Sequence, residues 1–252
     1  MQLTDNKTNT AIRVLIVDDH ELVRFGFKSL LSKDESIEVL DTLCSGEEAI
    51  NWCRDNQGQV DVVLMDVNMP GIGGIEATHR LSKSWPDIGI IIITVHDSGP
   101  LPKQLLNGGA KGYLTKGNSV EEMITAITDV HNGKHYIAKD IAQQLALSVI
   151  PGESNPIDSL SMRETQVLMM IAQGTKTIKI SEILNLSPKT ISTYRARLFE
   201  KLDVSSDVEM LHLAMKYGVL DENNLPTKYP PARSRCHRFR RAVNAAHDSL
   251  LF

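Results

Sequence analysis

The sequence predicts an α/β chain in which a doubly wound, five-stranded parallel sheet precedes a small all-α domain of four helices. Three observations carry this. Between Ile12 and Thr115, short runs rich in Val and Ile alternate with amphipathic segments. The runs are continuously apolar instead of strictly alternating, as in parallel strands covered by helices on both faces. Beyond Leu160 the strand pattern stops and only helical patterns continue to Leu220.

The five strands are read at Val14–Val17, Ile37–Thr42, Val60–Met65, Ile88–Val95 and Gly112–Leu114. Between them, helices are expected over Glu21–Ser32, Gly46–Asn56, Ile75–Ser84 and Leu101–Asn107. The last of these is short, with Pro100 and Pro102 at its start, positions where a helix tolerates proline. In Val120–Val130 the apolar residues Val120, Met123, Ile124, Ile127 and Val130 fall on one helix face. Five βα units fill residues 11–135 and imply a doubly wound sheet. Residues 136–157 form a linker: Ala138–Leu147 is helical, and Pro151, Gly152, Ser154, Asn155 and Pro156 are loop formers.

Residues 158–222 form the second domain. Ser161, with Glu164 three positions on, makes a capping box before a helix over Arg163–Ala172, and Gly174 ends that helix. Ile178–Leu184 is a short second helix. Asn185-Leu186-Ser187 is a turn, and Pro188 opens a third helix reaching Leu202. A fourth, Val208–Tyr217, stops at Gly218. The centre of this domain is therefore a helix-turn-helix. Residues 223–252 form a basic tail, with Arg233, Arg235, Arg238, Arg240 and Arg241 after a proline cluster. It is read as disordered; an extra contact to nucleic acid or an anionic partner is the alternative.

Composition narrows the function classes. With 42% apolar and 23% charged residues the chain can bury a core. Three cysteines without a CxxC pair, and histidines without ligand spacing, argue against a disulfide scaffold or structural zinc. The N-terminus lacks the apolar segment of a signal peptide, and no run approaches the ~20 apolar residues of a membrane span. A cytoplasmic protein without membrane contact is expected.

The strand ends carry the chemistry. Ligands of open α/β sheets bind beyond the carboxyl ends of the strands. Asp18 and Asp19 end the first strand, Asp66 the third, Thr94 lies near the end of the fourth, and Lys116 follows the fifth. Taken singly, each has an ordinary structural reading as a cap, a strand end or a solvated lysine. Together they place three carboxylates in one crevice, where a cation must offset their repulsion, and hard oxygen ligands suit Mg2+. A carboxylate can also accept a phosphoryl group, with Mg2+ and Lys116 neutralising the phosphoryl oxygens and Thr94 donating to one of them.

Val17-Asp18-Asp19, Met65-Asp66, Met69-Pro70 with Gly74, Thr94, and Gly112-Tyr113-Leu114-Thr115-Lys116 resemble the receiver domain of two-component response regulators. The resemblance covers residues 12–133 and implies a flavodoxin-like fold. It further implies that Asp66 accepts a phosphoryl group from a sensor histidine kinase. Asp18, Asp19 and Asp66 would hold Mg2+ with the backbone carbonyl of Asn68, and Thr94 and Tyr113 would form a switch pair. Gly117 stands where many receivers have proline. A cis bond there would cost ~2.5–4 kcal/mol, so the loop is either trans or strained.

At 100° per residue, the third helix of the second domain buries Ile191, Leu198 and Leu202. Its opposite face carries Lys189, Thr193, Ala196, Arg197 and Glu200, with Ser192 at the margin and Arg195 flanking the buried stripe. Such a face fits a major groove. Lys189, Arg195 and Arg197 suit phosphates, Ser192, Thr193 and Arg197 reach base edges, and Thr190 and Lys176 suit the backbone. Pattern alone leaves the solvated face of an ordinary helical domain equally open. Leu160-Ser161 with Arg163-Glu164, Leu186-Ser187-Pro188-Lys189-Thr190-Ile191 and Tyr194-Arg195 resemble the LuxR-type DNA-binding domain. The whole then resembles a NarL/FixJ-type regulator, closest to its GacA/UvrY branch, which implies dimerisation on phosphorylation, promoter DNA as partner and small regulatory RNA genes as targets.

Two competing readings remain: an adaptor acting through protein or RNA contacts, and an aspartate-nucleophile phosphatase. Asp66-Val67-Asn68 lacks the second aspartate expected of such phosphatases, so no enzyme is predicted. The net charge of −4 divides unevenly. Residues 11–135 carry 11 basic and 18 acidic groups, −7, whereas residues 158–225 carry 8 and 9, −1. A DNA reader with no basic excess must rely on a few placed cations, so weak monomer binding is expected.

Overall fold

The computed structural model describes residues 11–95, 99–147 and 155–219. The tail over 223–252, with Cys236, and the loop formers from Pro151 to Ser154 lie outside the described residues.

Six strands form one parallel sheet: β1 (Ile12–Val17), β2 (Ile37–Leu43), β3 (Val62–Met65), β4 (Gly89–Thr94), β5 (Gly112–Thr115) and β6 (Tyr136–Ile137). Their order is β2-β1-β3-β4-β5-β6. All of β3 and β4 is buried, as continuous apolarity requires of central parallel strands. Arg13 and Asp61 tie the entrances of β1 and β3 through a two-pronged ion pair, with Nε–Oδ2 3.0 Å and Nη2–Oδ1 2.8 Å.

The helices between them are α1 (Glu21–Leu31), α2 (Gly46–Asp55), α3 (Gly73–Ser84), α4 (Leu101–Asn107) and α5 (Val120–His131). On one side of the sheet α1 packs beside α5, and on the other α2 packs beside α3. Ser119 begins α5 with a complete capping box to Glu122.

The sixth strand corrects the expected count of five. Tyr136 and Ile137 pair with Gly112 and Tyr113, so the sheet runs past residue 135 into the segment read as linker. Two residues are too few to show a strand period, and only the open edge of β5 determines their conformation. The helix α6 (Lys139–Leu147) follows and packs on α4.

A 3-10 turn at Pro156–Ser159 leads into α7 (Met162–Ala172), α8 (Thr177–Leu184), α9 (Pro188–Leu202) and α10 (Asp207–Lys216). Ser161 and Glu164 form the expected capping box of α7. Asn185 takes the left-handed conformation that ends α8, at φ 57°, a conformation asparagine tolerates better than most residues. Ser187 caps α9 by accepting from the Thr190 N–H at 3.1 Å. Ile191, Leu198 and Leu202 are the buried residues of α9. The helix α7 packs against α9, α10 and also α3.

Candidate functional site

At the carboxyl end of the sheet, β1 delivers Asp18 and Asp19 and β3 delivers Asp66. Asp18 and Asp66 are buried, and Asp19 is half-buried. Lys116, just beyond β5, places Nζ 2.6 Å from Asp18 Oδ2 and 3.2 Å from Asp66 Oδ2. Together with His20, the three carboxylates offer ligand atoms that all lie within 4.8 Å of one another. One ammonium does not neutralise three carboxylates at that distance. The remaining negative charge, carried by hard oxygen donors, fits a divalent cation such as Mg2+.

The electrostatics reflect this crowding. Burial pushes the Asp66 carboxyl from its ordinary 3.8 up to about 6; Asp18 and Asp19 add to the rise and Lys116 opposes it. Burial likewise raises Asp19. Burial alone would lower Lys116, yet the carboxylates of Asp66 and Asp18 hold it above its ordinary value.

Local structure fixes each group. The loop between Asp66 and α3 turns through Gly71 (φ +84°) and Gly73 (φ +66°). Gly74 then presses against the Asp66 carbonyl so closely that a methyl group would collide with it. The Gly74 N–H donates to the Val67 carbonyl at 3.0 Å. Asn68 on this loop is half-buried.

Among the described residues every peptide is trans, so the Lys116–Gly117 bond is trans. Asn118 holds the loop in place. Its Oδ1 accepts from the Thr115 N–H at 2.7 Å and from Thr115 Oγ1 at 2.9 Å, and its Nδ2 donates to Glu122 at 2.9 Å. Thr94 and Tyr113 are both fully buried on adjacent strands, and the Lys116 N–H donates to the Thr94 carbonyl at 2.8 Å. The Tyr113 carbonyl accepts from Ala138 at 3.0 Å, which fastens β6 to the strand carrying Tyr113.

Besides Asn118, two contributors escape the sequence pattern. His20 donates its backbone N–H to Asp18 Oδ1 at 2.8 Å and places Nδ1 2.9 Å from Asp19 Oδ1. Arg24, buried on α1, donates to the Asp18 carbonyl at 2.6 Å. The only available signal was an arginine one and a half turns after the paired aspartates.

The second candidate surface lies on α9. Lys189, Ser192, Thr193, Ala196 and Arg197 are exposed, and Thr190 is half-buried. The hydroxyls of Ser192 and Thr193 each donate to their own helix backbone at 3.0 Å and keep acceptor lone pairs outward. Arg195 stands apart from this face. Its Nη2 pairs with Asp207 at 2.8 Å, and its guanidinium lies 5.4 Å from the centre of the Phe199 ring.

Two family models match the chain. Residues 14–128 match the family of response regulator receiver domains, and residues 158–214 match the bacterial regulatory proteins of the luxR family. The chain is 49% identical over 219 residues to the response regulator UvrY of Escherichia coli K12, covering 86% of this chain and all of the relative. It is 48% identical over 212 residues to the response regulator GacA of Pseudomonas aeruginosa, covering 83% of this chain and 98% of the relative. A solved complex of the two-component response regulator RcsB with DNA is similar at a TM-score of 0.52 and 26% identity, over 81% of this chain and 98% of that one.

Proposed function

This chain belongs to the LuxR-type response regulators of the UvrY and GacA kind, DNA-binding regulators and not enzymes, and we propose that Asp66 is the phosphoryl acceptor that controls its DNA binding. The observation that carries this is the buried Asp66 at the carboxyl end of β3, sharing the Lys116 ammonium with Asp18. A sensor histidine kinase supplies the phosphoryl group. Asp18, Asp19 and Asp66, with the backbone carbonyl of Asn68, would hold Mg2+, which would neutralise charge on the phosphoryl oxygens. Lys116 adds a second positive charge, and Thr94 donates its hydroxyl, with Tyr113 following as the switch aromatic.

We place the receiver over residues 11–137, closing with β6, and the DNA-binding domain over residues 158–222. The exposed face of α9 enters the major groove, with Lys189, Thr190 and Arg197 on the backbone and Ser192, Thr193, Ala196 and Arg197 at base edges. Arg195 joins the backbone contacts when it exchanges Asp207 for a phosphate. The domain carries no basic excess, so two copies on a pseudo-palindromic site are needed for tight binding, and phosphorylation favours the homodimer. The targets include small regulatory RNA genes, as the UvrY and GacA resemblance suggests. We place the regulator in the cytoplasm; among the described residues no helix is long and apolar enough to cross a membrane.

The test is phosphoryl mapping. The full chain is incubated with Mg2+ and acetyl phosphate, and the product is analysed by intact-mass and peptide mass spectrometry. One added phosphoryl group on the peptide containing Asp66, absent from Asp66→Asn, is the expected result. Equal labelling of the variant would overturn the assignment.

A further inference from the structure

The helix α7 is buried almost all round. Gln166, Met169 and Met170 are 4%, 6% and 7% exposed, although the other side of the helix already packs against α9 and α10. Their cover comes from the receiver. They face Val67, Met69, Ile72 and Ile75 across a crevice of about 30 Å³. These receiver residues belong to, or directly follow, the loop that begins at Asp66. They are buried although most lie on a loop, a class of segment that ordinarily stays at the surface.

Polar contacts fix this seam. Gln166 Nε2 donates to the Ile72 carbonyl at 3.3 Å, while the Ile72 N–H donates to Glu47 Oε1 at 3.0 Å. Ile72 is thus held from both sides, by its own domain and by the DNA-binding domain. Arg163 Nη1 donates to Glu76 Oε2 at 2.6 Å and to Gln166 Oε1 at 2.7 Å. Glu76 is 4% exposed and also accepts from Arg80 Nε at 2.7 Å. A buried carboxylate satisfied in this way is costly to disturb. From Ile72 the chain passes through Gly73 to Gly74, which presses on the Asp66 carbonyl with no room to spare. A shift at Ile72 therefore reaches the Asp66 backbone within two residues. The exposed face of α9 takes no part in this seam, so the contact does not work by covering the DNA reader.

We infer that Gln166 and Arg163, although part of the DNA-binding domain, are positioning residues for the receiver's phosphoryl chemistry. Acting through Ile72 and Glu76, they hold the Asp66 loop and set how fast Asp66 is loaded. The inference rests on Asp66 being the phosphoryl acceptor. In the step concerned, an Asp66 carboxylate oxygen attacks the phosphorus of acetyl phosphate. The phosphorus–oxygen bond to the acetyl group breaks, and acetate leaves with the electron pair. Water later attacks the phosphoryl group, releasing inorganic phosphate and restoring the carboxylate.

The experiment measures the labelling rate of the full chain against acetyl phosphate concentration at fixed Mg2+, for wild type, Gln166→Ala, Gln166→Met, Arg163→Ala and Arg163→Lys. A misplaced reacting group costs up to ~100-fold in rate, so a loosened loop should slow the limiting rate by about threefold or more in Gln166→Ala and Arg163→Ala. Arg163→Lys, which keeps a donor for Glu76, restores most of the rate. Gln166→Met keeps the volume and loses only the hydrogen bond, so it reports even if an alanine variant fails to fold; it too should slow. Labelled wild type with folded Gln166→Met and Arg163→Ala at the wild-type rate or faster would overturn the inference and leave the proposed function standing. Wild type that takes up no phosphoryl group would overturn both.

Discussion

Asp66 costs the folded chain stability in its ionised form, and replacing it with asparagine should remove that cost. Its carboxyl is raised from 3.8 to about 6, chiefly by burial. The folded chain therefore holds the proton more tightly than the unfolded chain does. Stability is highest below the unfolded value and falls as pH rises through the window from about 4 to about 6; above it the full cost is present. Each tenfold difference in proton affinity is worth ~1.4 kcal/mol, which gives a cost of about 3 kcal/mol at neutral pH. Asparagine cannot ionise, and Lys116 keeps its partner Asp18 at 2.6 Å. Asp66→Asn should thus match wild type near pH 4 and exceed it by up to about 3 kcal/mol above pH 6. Urea unfolding of the full chain in EDTA, followed by tryptophan fluorescence, measures this. Trp52 and Trp85 are the chain's two tryptophans, and both belong to the domain that carries Asp66. Parallel pH profiles, or a variant less stable than wild type at pH 7.5, would refute the reasoning.

Two further substitutions probe the parts separately. Gly74→Ala drives a methyl group into the Asp66 carbonyl; overpacking of this kind costs ~1–3 kcal/mol and displaces the loop. Acetyl phosphate labelling should drop in material whose thermal melt remains cooperative, and unchanged labelling would contradict the close approach as a constraint. Arg197→Ala should weaken DNA binding across sequences and lower the slope of log affinity against log salt by about 1, measured by fluorescence anisotropy. Arg195→Ala should cost less affinity than Arg197→Ala, because Arg195 gives up its pair with Asp207 to reach a phosphate.

The sheet core and the acidic site were legible because their signals are local. Continuous apolar runs mark strands buried on both faces, and each site residue sits at or just past a strand end. The buried stripe of α9 could likewise be read at 100° per residue. What escaped was set by partners distant in sequence. Tyr136 and Ile137 become a strand only because the edge of β5 is open beside them. Arg24 joins the site because α1 returns over the Asp18 backbone. Arg195 had the composition of a phosphate contact, but its conformation is set by Asp207 and Phe199. The apolar run from Val167 to Ala172 showed that α7 needed cover on more than one side; nothing in it named residues 67–75 as the second partner.

The measurement that tests the account most directly is genome-wide occupancy of the chain, compared between wild type and Asp66→Asn expressed at equal levels. The account predicts discrete promoter peaks for wild type that are lost or strongly reduced in the variant. Identical maps, with the same peaks at the same heights, would contradict control of DNA binding through Asp66.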